Sequence, residues 1–151
     1  MLVKTAATSQ GAGHSEHTVF DERATQLAIS LVNQPGKLAN VCNALAKADI
    51  NIRALTVLET WGDNSILRTV VTDADRAMAC LDEAGVSALE SEVLMVETEN
   101  KPGALAYLAE QLGSAGINIE YAYLAATDQA EQACIILRPS DIDRAEQILS
   151  Q

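Results

Sequence analysis

The sequence predicts an α+β protein made of two copies of one unit, each with the order strand, helix, strand, strand, helix, strand. An internal repeat, apolar residues at helical spacing and β-rich runs around a turn all support this fold class. Residues 33–52 align with 100–119, and ten of the twenty positions are identical at an offset of 67. Asp75-Arg76-Ala77 then matches Asp143-Arg144-Ala145 at an offset of 68, so one residue is inserted between the two blocks.

The first unit begins with an alternating strand, Gln26–Val32, which ends at the turn signal Asn33-Gln34-Pro35-Gly36. The next apolar residues recur at i, i+3, i+4 and i+7, which predicts a helix. Two β-rich runs, 52–58 and 66–72, flank a hairpin turn at 61–64. A second helix opens near Asp73, and a short strand, Val86–Leu89, closes the unit. The helical residues expected to face inward are Leu38, Val41, Cys42, Leu45, Ala77, Cys80, Leu81 and Ala84.

The second unit repeats this pattern. Its last helix is expected to open at Ser140 with Asp143 three residues later, which resembles a capping box. The resulting order is the split βαβ or ferredoxin-like arrangement, with both helices on one face of an antiparallel sheet. Units of ~60–70 residues are marginally stable alone, so the two should pack together and the protein should form a homodimer. The inward residues expected here are Leu105, Leu108, Ala109, Leu112, Ala145, Ile148 and Leu149.

The end of the second unit lacks a strand. At the offset of 68, Gln151 corresponds to Glu83, so no copy of Val86–Leu89 follows, and the expected strand Val93–Thr98 has an uncovered edge. Leu2–Thr5 or Thr18–Phe20 could fill that edge, a neighbouring chain could, or the sequence could be shortened. The predicted organisation is a flexible leader, 1–24, a first module, 25–91, and a second module, 92–151, without its own final strand.

Composition and charge argue against several classes of partner. The chain is 48% apolar and 21% charged, which is typical of a globular protein, and only 3% aromatic. The net charge of −11 opposes binding to nucleic acid or to an anionic membrane, since affinity for phosphate depends largely on Lys and Arg. Two of the few aromatic residues, Tyr121 and Tyr123, follow Asn118, and they either line a site in the second unit or pack where the units meet.

Cysteine usage and the N-terminal sequence indicate a soluble cytoplasmic protein. Cys42, Cys80 and Cys134 are odd in number and widely spaced, which fits neither a disulfide framework nor a zinc site. The start of the sequence has no apolar run of a secretory signal, and no stretch reaches the ~18 apolar residues of a membrane helix.

No group of residues predicts catalysis, so we expect a protein that is not an enzyme and needs no cofactor. His14 and His17 lie in a Gly/Ser-rich leader, and Gly11-Ala12-Gly13 neither follows a strand nor opens a helix. The Gly113-x-x-Gly116 pair is typical of a helix C-terminus. The aspartates at the predicted helix starts are explained by capping, and the cysteines by packing in the core.

The loop Asn33-Gln34-Pro35-Gly36 and its copy Asn100-Lys101-Pro102-Gly103 are the candidate sites. Each loop leads into a helix N-terminus, whose free N–H groups attract a carboxylate. A glycine after the proline allows a ligand to approach the backbone. The asparagine amide both donates and accepts hydrogen bonds, which suits an amino acid with its carboxylate and ammonium groups. The alternative is that both loops are only turns between a strand and a helix.

These motifs resemble the ACT domain family of small ferredoxin-like modules that bind amino acids and regulate metabolic enzymes. The resemblance covers both repeats and depends on the strand, the Asn-x-Pro-Gly-x-Leu loop, the helix and the closing Ile-Asn-Ile. It implies a ligand held between two modules by the loop asparagine and by the asparagine at the start of the next strand. It also implies modules placed side by side through their second strands. The ligand-binding residues implied are Asn33, Gln34, Pro35, Gly36, Lys37, Leu38, Asn51 and Ile52, with Asn100, Lys101, Pro102, Gly103, Ala104, Leu105, Asn118 and Ile119.

The position two residues before each loop asparagine departs from one relative. In the serine-binding regulatory domain that these loops resemble, a histidine stands there, whereas this sequence has Leu31 and Thr98. The resemblance therefore implies an amino-acid ligand without specifying serine. Two hypotheses follow: an allosteric sensor of amino-acid metabolism, or a dimerisation and docking module that binds no ligand and regulates a partner enzyme.

Overall fold

A computed structural model describes residues 18–126 and 129–151, with side chains described from residue 22 onward. The predicted order of elements is present in both units. The elements are β1 Thr18–Val32, α1 Lys37–Lys47, β2 Ile52–Glu59, β3 Asn64–Val71, α2 Ala74–Glu83, β4 Ala88–Glu99, α3 Ala104–Ser114, β5 Ile119–Ala125, β6 Gln132–Pro139 and α4 Ile142–Leu149.

The six strands of the described residues form one antiparallel sheet in the order β2-β3-β1-β4-β6-β5. Side chains alternate between its two faces, so residues of odd number in β1 share a face. On that face Leu27 and Ile29 pack with α1 and α2, and Arg23 bonds to Glu146 of α4. The four helices therefore cover one face of the sheet, as the ferredoxin-like prediction requires. We call the other side the open face.

The two units share their central strands. The first half of β4 pairs with the second half of β1, and the second half of β4 pairs with the first half of β1. Thr25 lies opposite Glu92, which is also its counterpart at the repeat offset of 67. A pseudo-twofold axis therefore passes through this pair. The first half of β4 is thus the fourth strand of the first unit, and the first half of β1 is the fourth strand of the second.

This sharing supplies the strand that the second unit lacks. Thr18–Phe20 pair with Val96–Thr98, so the second of the sequence-based alternatives is the one observed, with a register shift after Phe20. Residues 18–24, assigned to the leader by sequence, are thus part of β1. The predicted strands Val86–Leu89 and Val93–Thr98 are one continuous strand, β4. Leu2–Thr5, the Gly-Ala-Gly segment and both histidines lie outside the described residues.

Each helix pair has its own apolar core. The first core includes Val41 and Leu45 of α1 with Ala77 and Leu81 of α2, as the helical spacing predicts. The second core holds their counterparts Leu108, Leu112, Ala145 and Leu149. Some predicted core residues are instead at the surface. The exposed residues are Leu38, Leu105, Ala109 and Ala84, whereas Cys42, Cys80 and Ile148 are half-buried.

The last helix begins one residue later than predicted. Asp141, and not Ser140, is the N-cap, and its carboxylate accepts a hydrogen bond from the backbone N–H of Arg144 at 3.1 Å. Asp73 does the same for α2 through Arg76 N–H. Ser140 is used differently, since its Oγ accepts from the N–H of Asn118. An aspartate at the cap also places negative charge at the positive end of the helix dipole.

An ionic cluster joins the first half of β1 to α4. The Arg23 guanidinium donates to Asp143 and Glu146 and lies 3.4 Å from Glu92. These carboxylates, Asp143 first, raise the pKa of Arg23 further above its ordinary value. The cluster fixes the strand that the first unit contributes to the second.

In the part of the chain that the structure describes, no helix is long and apolar enough to span a bilayer.

The second strands of the units, β2 and β5, are the outer edges of the sheet. The expectation that the modules meet through these strands is therefore wrong within one chain, because the long central strands join them. The sheet nevertheless coils strongly across its open face. Ala54 of β2 packs in one small cluster with Tyr123 of β5 and Cys134 of β6, which lie at the far side of the strand order. Arg53 also reaches Glu22 near the start of β1.

Candidate functional site

The two Asn-x-Pro-Gly loops have the same backbone geometry. The N–H of Asn33 donates to the carbonyl of Asp63 at 2.6 Å, and the N–H of Asn100 donates to that of Glu131 at 2.9 Å. Each loop is thus bonded to the hairpin of its own unit. The extra residue of the second unit therefore falls between Ile119 and Glu131, in the hairpin region. Residues 33–38 and 100–103 are exposed, so both loops are open to solvent.

The helices after these loops begin without a side-chain cap. Gly36 and Gly103 are the N-cap residues, in the left-handed conformation at φ 86° and 89°, and neither helix has a capping side-chain hydrogen bond. By contrast, Asp73 and Asp141 cap α2 and α4. A Cβ added at either glycine would meet nothing within 4 Å, so the space in front of both helix ends is open. Open N–H groups at a helix N-terminus are suited to bind a carboxylate.

The loop asparagine and the strand asparagine of one unit do not lie together. Asn51 exchanges two hydrogen bonds with Thr72 at one end of β3, whereas Asn33 bonds to Asp63 at the other end. The eight residues of β3 separate them by about 25 Å. Asn118 and Ser140 repeat the arrangement in the second unit. One unit alone therefore cannot hold a single small ligand with both asparagines.

The two loop asparagines also differ. The side-chain Nδ2 of Asn100 donates to the carbonyl of Ala130 at 2.9 Å, so this amide holds the loop against the hairpin. The neighbouring Lys101 forms an ion pair with Glu99. Asn33 bonds to Asp63 through its backbone N–H, and the residue is exposed. The amide that the structure presents to solvent is thus that of Asn33.

The remaining residues predicted for the site have mixed surroundings. Ile52 and Ile119 are half-buried and pack against the first and second cores. Ala104 is buried, with 5% of its surface exposed. Leu38 and Leu105 are 40% and 44% exposed beside the uncapped helix ends. Sequence reasoning therefore located two open loops, but it grouped with them residues whose main contacts are in the core.

A buried polar network on the open face was not predicted. Gln26, with 1% of its surface exposed, donates to the hydroxyl of Tyr121 at 2.6 Å and accepts from that of Tyr123 at 2.9 Å. The Tyr121 ring also stacks on the guanidinium of Arg68, 4.1 Å from its centroid. These tyrosines therefore pack across the junction of the units, which is one of the two roles considered for them. The signal in the sequence was a glutamine directly before the apolar run 27–29 of β1.

Burial raises the pKa of Tyr123 above the ordinary phenol value of about 10, and the nearby Tyr121 adds to the effect. Above about pH 10 the unfolded chain loses this proton first, so the unfolded state binds fewer protons and stability falls as pH rises. We expect the free energy of unfolding, measured by urea titration between pH 8 and 11, to fall less steeply in Tyr123→Phe. Tyr107→Phe is the control, and equal slopes in both variants would contradict the assignment to Tyr123.

Comparisons with known proteins agree with the fold. A family model described as an ACT domain pair matches residues 23–151. The crystal structure of protein BT0572 from Bacteroides thetaiotaomicron is 36% identical, covers 84% of this chain and 86% of its own, and has a TM-score of 0.78. Regulatory subunits of aspartate kinase from Thermus thermophilus and Thermus flavus are 19% and 21% identical, with TM-scores of 0.65 and 0.66. Both cover 88% of this chain and 94% of their own, and at these identities they show the fold alone. No curated protein matches the sequence.

Proposed function

Since the chain belongs to the ACT domain pair family, we propose that it is a regulatory protein that binds an amino acid between ACT modules and controls a metabolic enzyme. The observation that carries this proposal is the contrast between the helix starts. The two helices after the Pro-Gly loops have no side-chain cap, whereas the other two are capped by aspartates. Those two open ends would receive the α-carboxylate of the ligand.

The proposed site needs a second module from another copy. Within one unit, β3 separates Asn33 from Asn51 by about 25 Å. The free edges of the sheet, β2 and β5, carry half-exposed apolar residues, among them Val57, Leu58 and Leu124. If β2 of one copy paired antiparallel with an edge of another, Asn51 would lie beside the partner's loop end. A homodimer would then place both kinds of asparagine around one amino acid.

The relatives support the regulatory part of the proposal. The two aspartate kinase subunits are named as regulatory subunits, and they share the fold over almost their whole length. By analogy, we propose that this chain acts on an enzyme of amino-acid metabolism through a change in association when the ligand binds. In this function the modules are residues 25–91 and 92–151, the second completed by the first half of β1.

A thermal-shift panel of the twenty amino acids tests the proposal. A ligand at about one hundred times its Kd should raise the melting temperature by roughly 5–10 °C. Asn33→Ala should reduce that shift and leave the unliganded protein unchanged, because its amide faces solvent. Asn100→Ala should lower the unliganded melting temperature by roughly 2–4 °C, since it loses a hydrogen bond of about 1 kcal/mol. If no amino acid at millimolar concentration shifts the transition, the protein is not an amino-acid sensor.

The second candidate is a docking module that binds no ligand. The bond from Asn100 to Ala130 favours it, because that amide is used to hold a turn. This function predicts that Asn33→Ala and Asn118→Ala leave association with the partner unchanged. Co-purification of the partner with each variant, alongside the thermal-shift panel, distinguishes the two candidates.

A further inference from the structure

A cavity of about 130 Å³ lies on the open face, between the two edge strands. Cys134 and Ile136 of β6 line it together with the β2 segment 53–56 and the β5 segment 123–125. Neither Pro-Gly loop contributes to it, so it is separate from the site described under the proposed function. The coiling of the sheet creates it by bringing β2 and β5 to face each other.

The cavity exists because the two units differ on the open face. Tyr121 and Tyr123 of β5 correspond, at the offset of 67, to Ala54 and Thr56 of β2. The tyrosine hydroxyls reach across the sheet to bond Gln26. The smaller side chains of β2 leave space opposite them that the tyrosines do not fill. The β5 wall therefore includes the ring of Tyr123, whereas the β2 wall has the smaller Ala54 and Thr56.

Two of the side chains that line the cavity, Arg53 and Tyr123, already have polar partners. The guanidinium of Arg53 forms an ion pair with Glu22, which neutralises it. The hydroxyl of Tyr123 donates to Gln26, and burial keeps it protonated. The other described residues of the lining are alanine, leucine, isoleucine, threonine and cysteine. An ion in this space would lose hydration without gaining an opposite charge, which is costly.

We propose that this cavity binds a small, neutral, largely apolar molecule of about six non-hydrogen atoms, because an apolar cavity of ~150 Å³ accommodates benzene. Drug-sized molecules need several hundred Å³ and are too large. Such a ligand would contact β2 of the first unit and β5 of the second at once. Its occupancy would hold the two edges in their facing arrangement.

The rate at which the Cys134 thiol is alkylated reports whether a ligand occupies the cavity, because this residue lines it. In a Cys42→Ser/Cys80→Ser background it is the remaining thiol, and its alkylation by iodoacetamide can be followed by intact mass. We expect 3-methyl-1-butanol to slow alkylation about tenfold when ~90% of sites are filled. Isovalerate has the same branched skeleton and a negative charge, so it should have no effect. Protection by isovalerate as strong as that by the alcohol would overturn the assignment to neutral ligands.

Two substitutions test whether the protection of Cys134 comes from a ligand inside the cavity. Ala54→Leu fills the cavity and should abolish protection, whereas Ala122→Leu, on an exposed position of β5, should retain it. Ala125→Leu, which narrows the cavity from the other wall, serves if Ala54→Leu does not fold as judged by circular dichroism. Equal alkylation rates with and without the alcohol in the parent protein would overturn the proposal. Undiminished protection in the filled variants would do the same.

Discussion

A chain that lacks residues 1–24 is expected not to fold. The deletion removes the half of β1 that pairs with Val93–Thr98, so β4 becomes an edge bonded only to β6 in the second unit. Leu94 and Val96, both fully buried, would lose the strand beside them, and α4 would lose its ionic contact with Arg23. Since a domain is typically stable by only 5–15 kcal/mol, the loss of a central strand half should exceed what the chain can tolerate.

The matched control is a deletion of residues 1–17, which leaves every described strand intact. We expect this shorter deletion to retain a cooperative thermal transition by circular dichroism and a single peak in size-exclusion chromatography. The longer deletion should show neither. A deletion of 1–24 that melts within a few degrees of the full chain would show that the first half of β1 contributes little.

Replacement of Gln26 by alanine should have the second largest effect. This side chain is buried and holds two tyrosine hydroxyls across the open face. Its removal leaves the part-buried hydroxyls of Tyr121 and Tyr123 without this partner, at a cost of about 1–3 kcal/mol each, so we expect a total loss of roughly 2–4 kcal/mol. Urea unfolding followed by circular dichroism measures this loss. Circular dichroism is preferred to fluorescence because Trp61 is fully exposed in a turn, so its emission reports unfolding poorly.

Gln132→Ala is the control for this substitution, because that glutamine is exposed on β6. It should change stability by less than about 0.5 kcal/mol. A double-mutant cycle with Tyr123→Phe should give a clear coupling energy, since the two side chains share a hydrogen bond. If the two losses simply add, the network is weaker than its geometry indicates.

Most of the fold could be predicted because the repeat encodes it locally. Val41 and Leu45 in α1 and their counterparts in α3 mark the buried faces of these two helices, and Pro-Gly marks the start of both. The sequence offered Thr18–Phe20 as one of several segments that could cover the edge of Val93–Thr98, but it did not indicate that Val86–Leu89 and Val93–Thr98 form one continuous strand. Glu90-Ser91-Glu92 interrupts the apolar alternation of β4, because the strand crosses there from one unit to the other and carries charge near the axis.

The geometry of the candidate site was predictable in part. The Asn-x-Pro-Gly motif located two open helix ends, since glycine in the left-handed conformation is a local feature of the chain. The 25 Å separation of Asn33 from Asn51 depends on which end of β3 each one meets, and spacing along the chain does not contain that information. The network of Gln26 was missed for a similar reason, because it depends on how far the sheet coils.

The pairing of the first half of β1 with the second half of β4 has a consequence for how the chain folds during synthesis. The ribosome makes Thr18–Ala24 before any other described residue, yet their pairing partners are Val93–Thr98. The first unit can assemble its hairpin and helices as they emerge, while those seven residues wait for β4 and β6. The earliest part of the described chain is thus among the last to reach its place, and until then it is an unpaired strand end that chaperones could recognise.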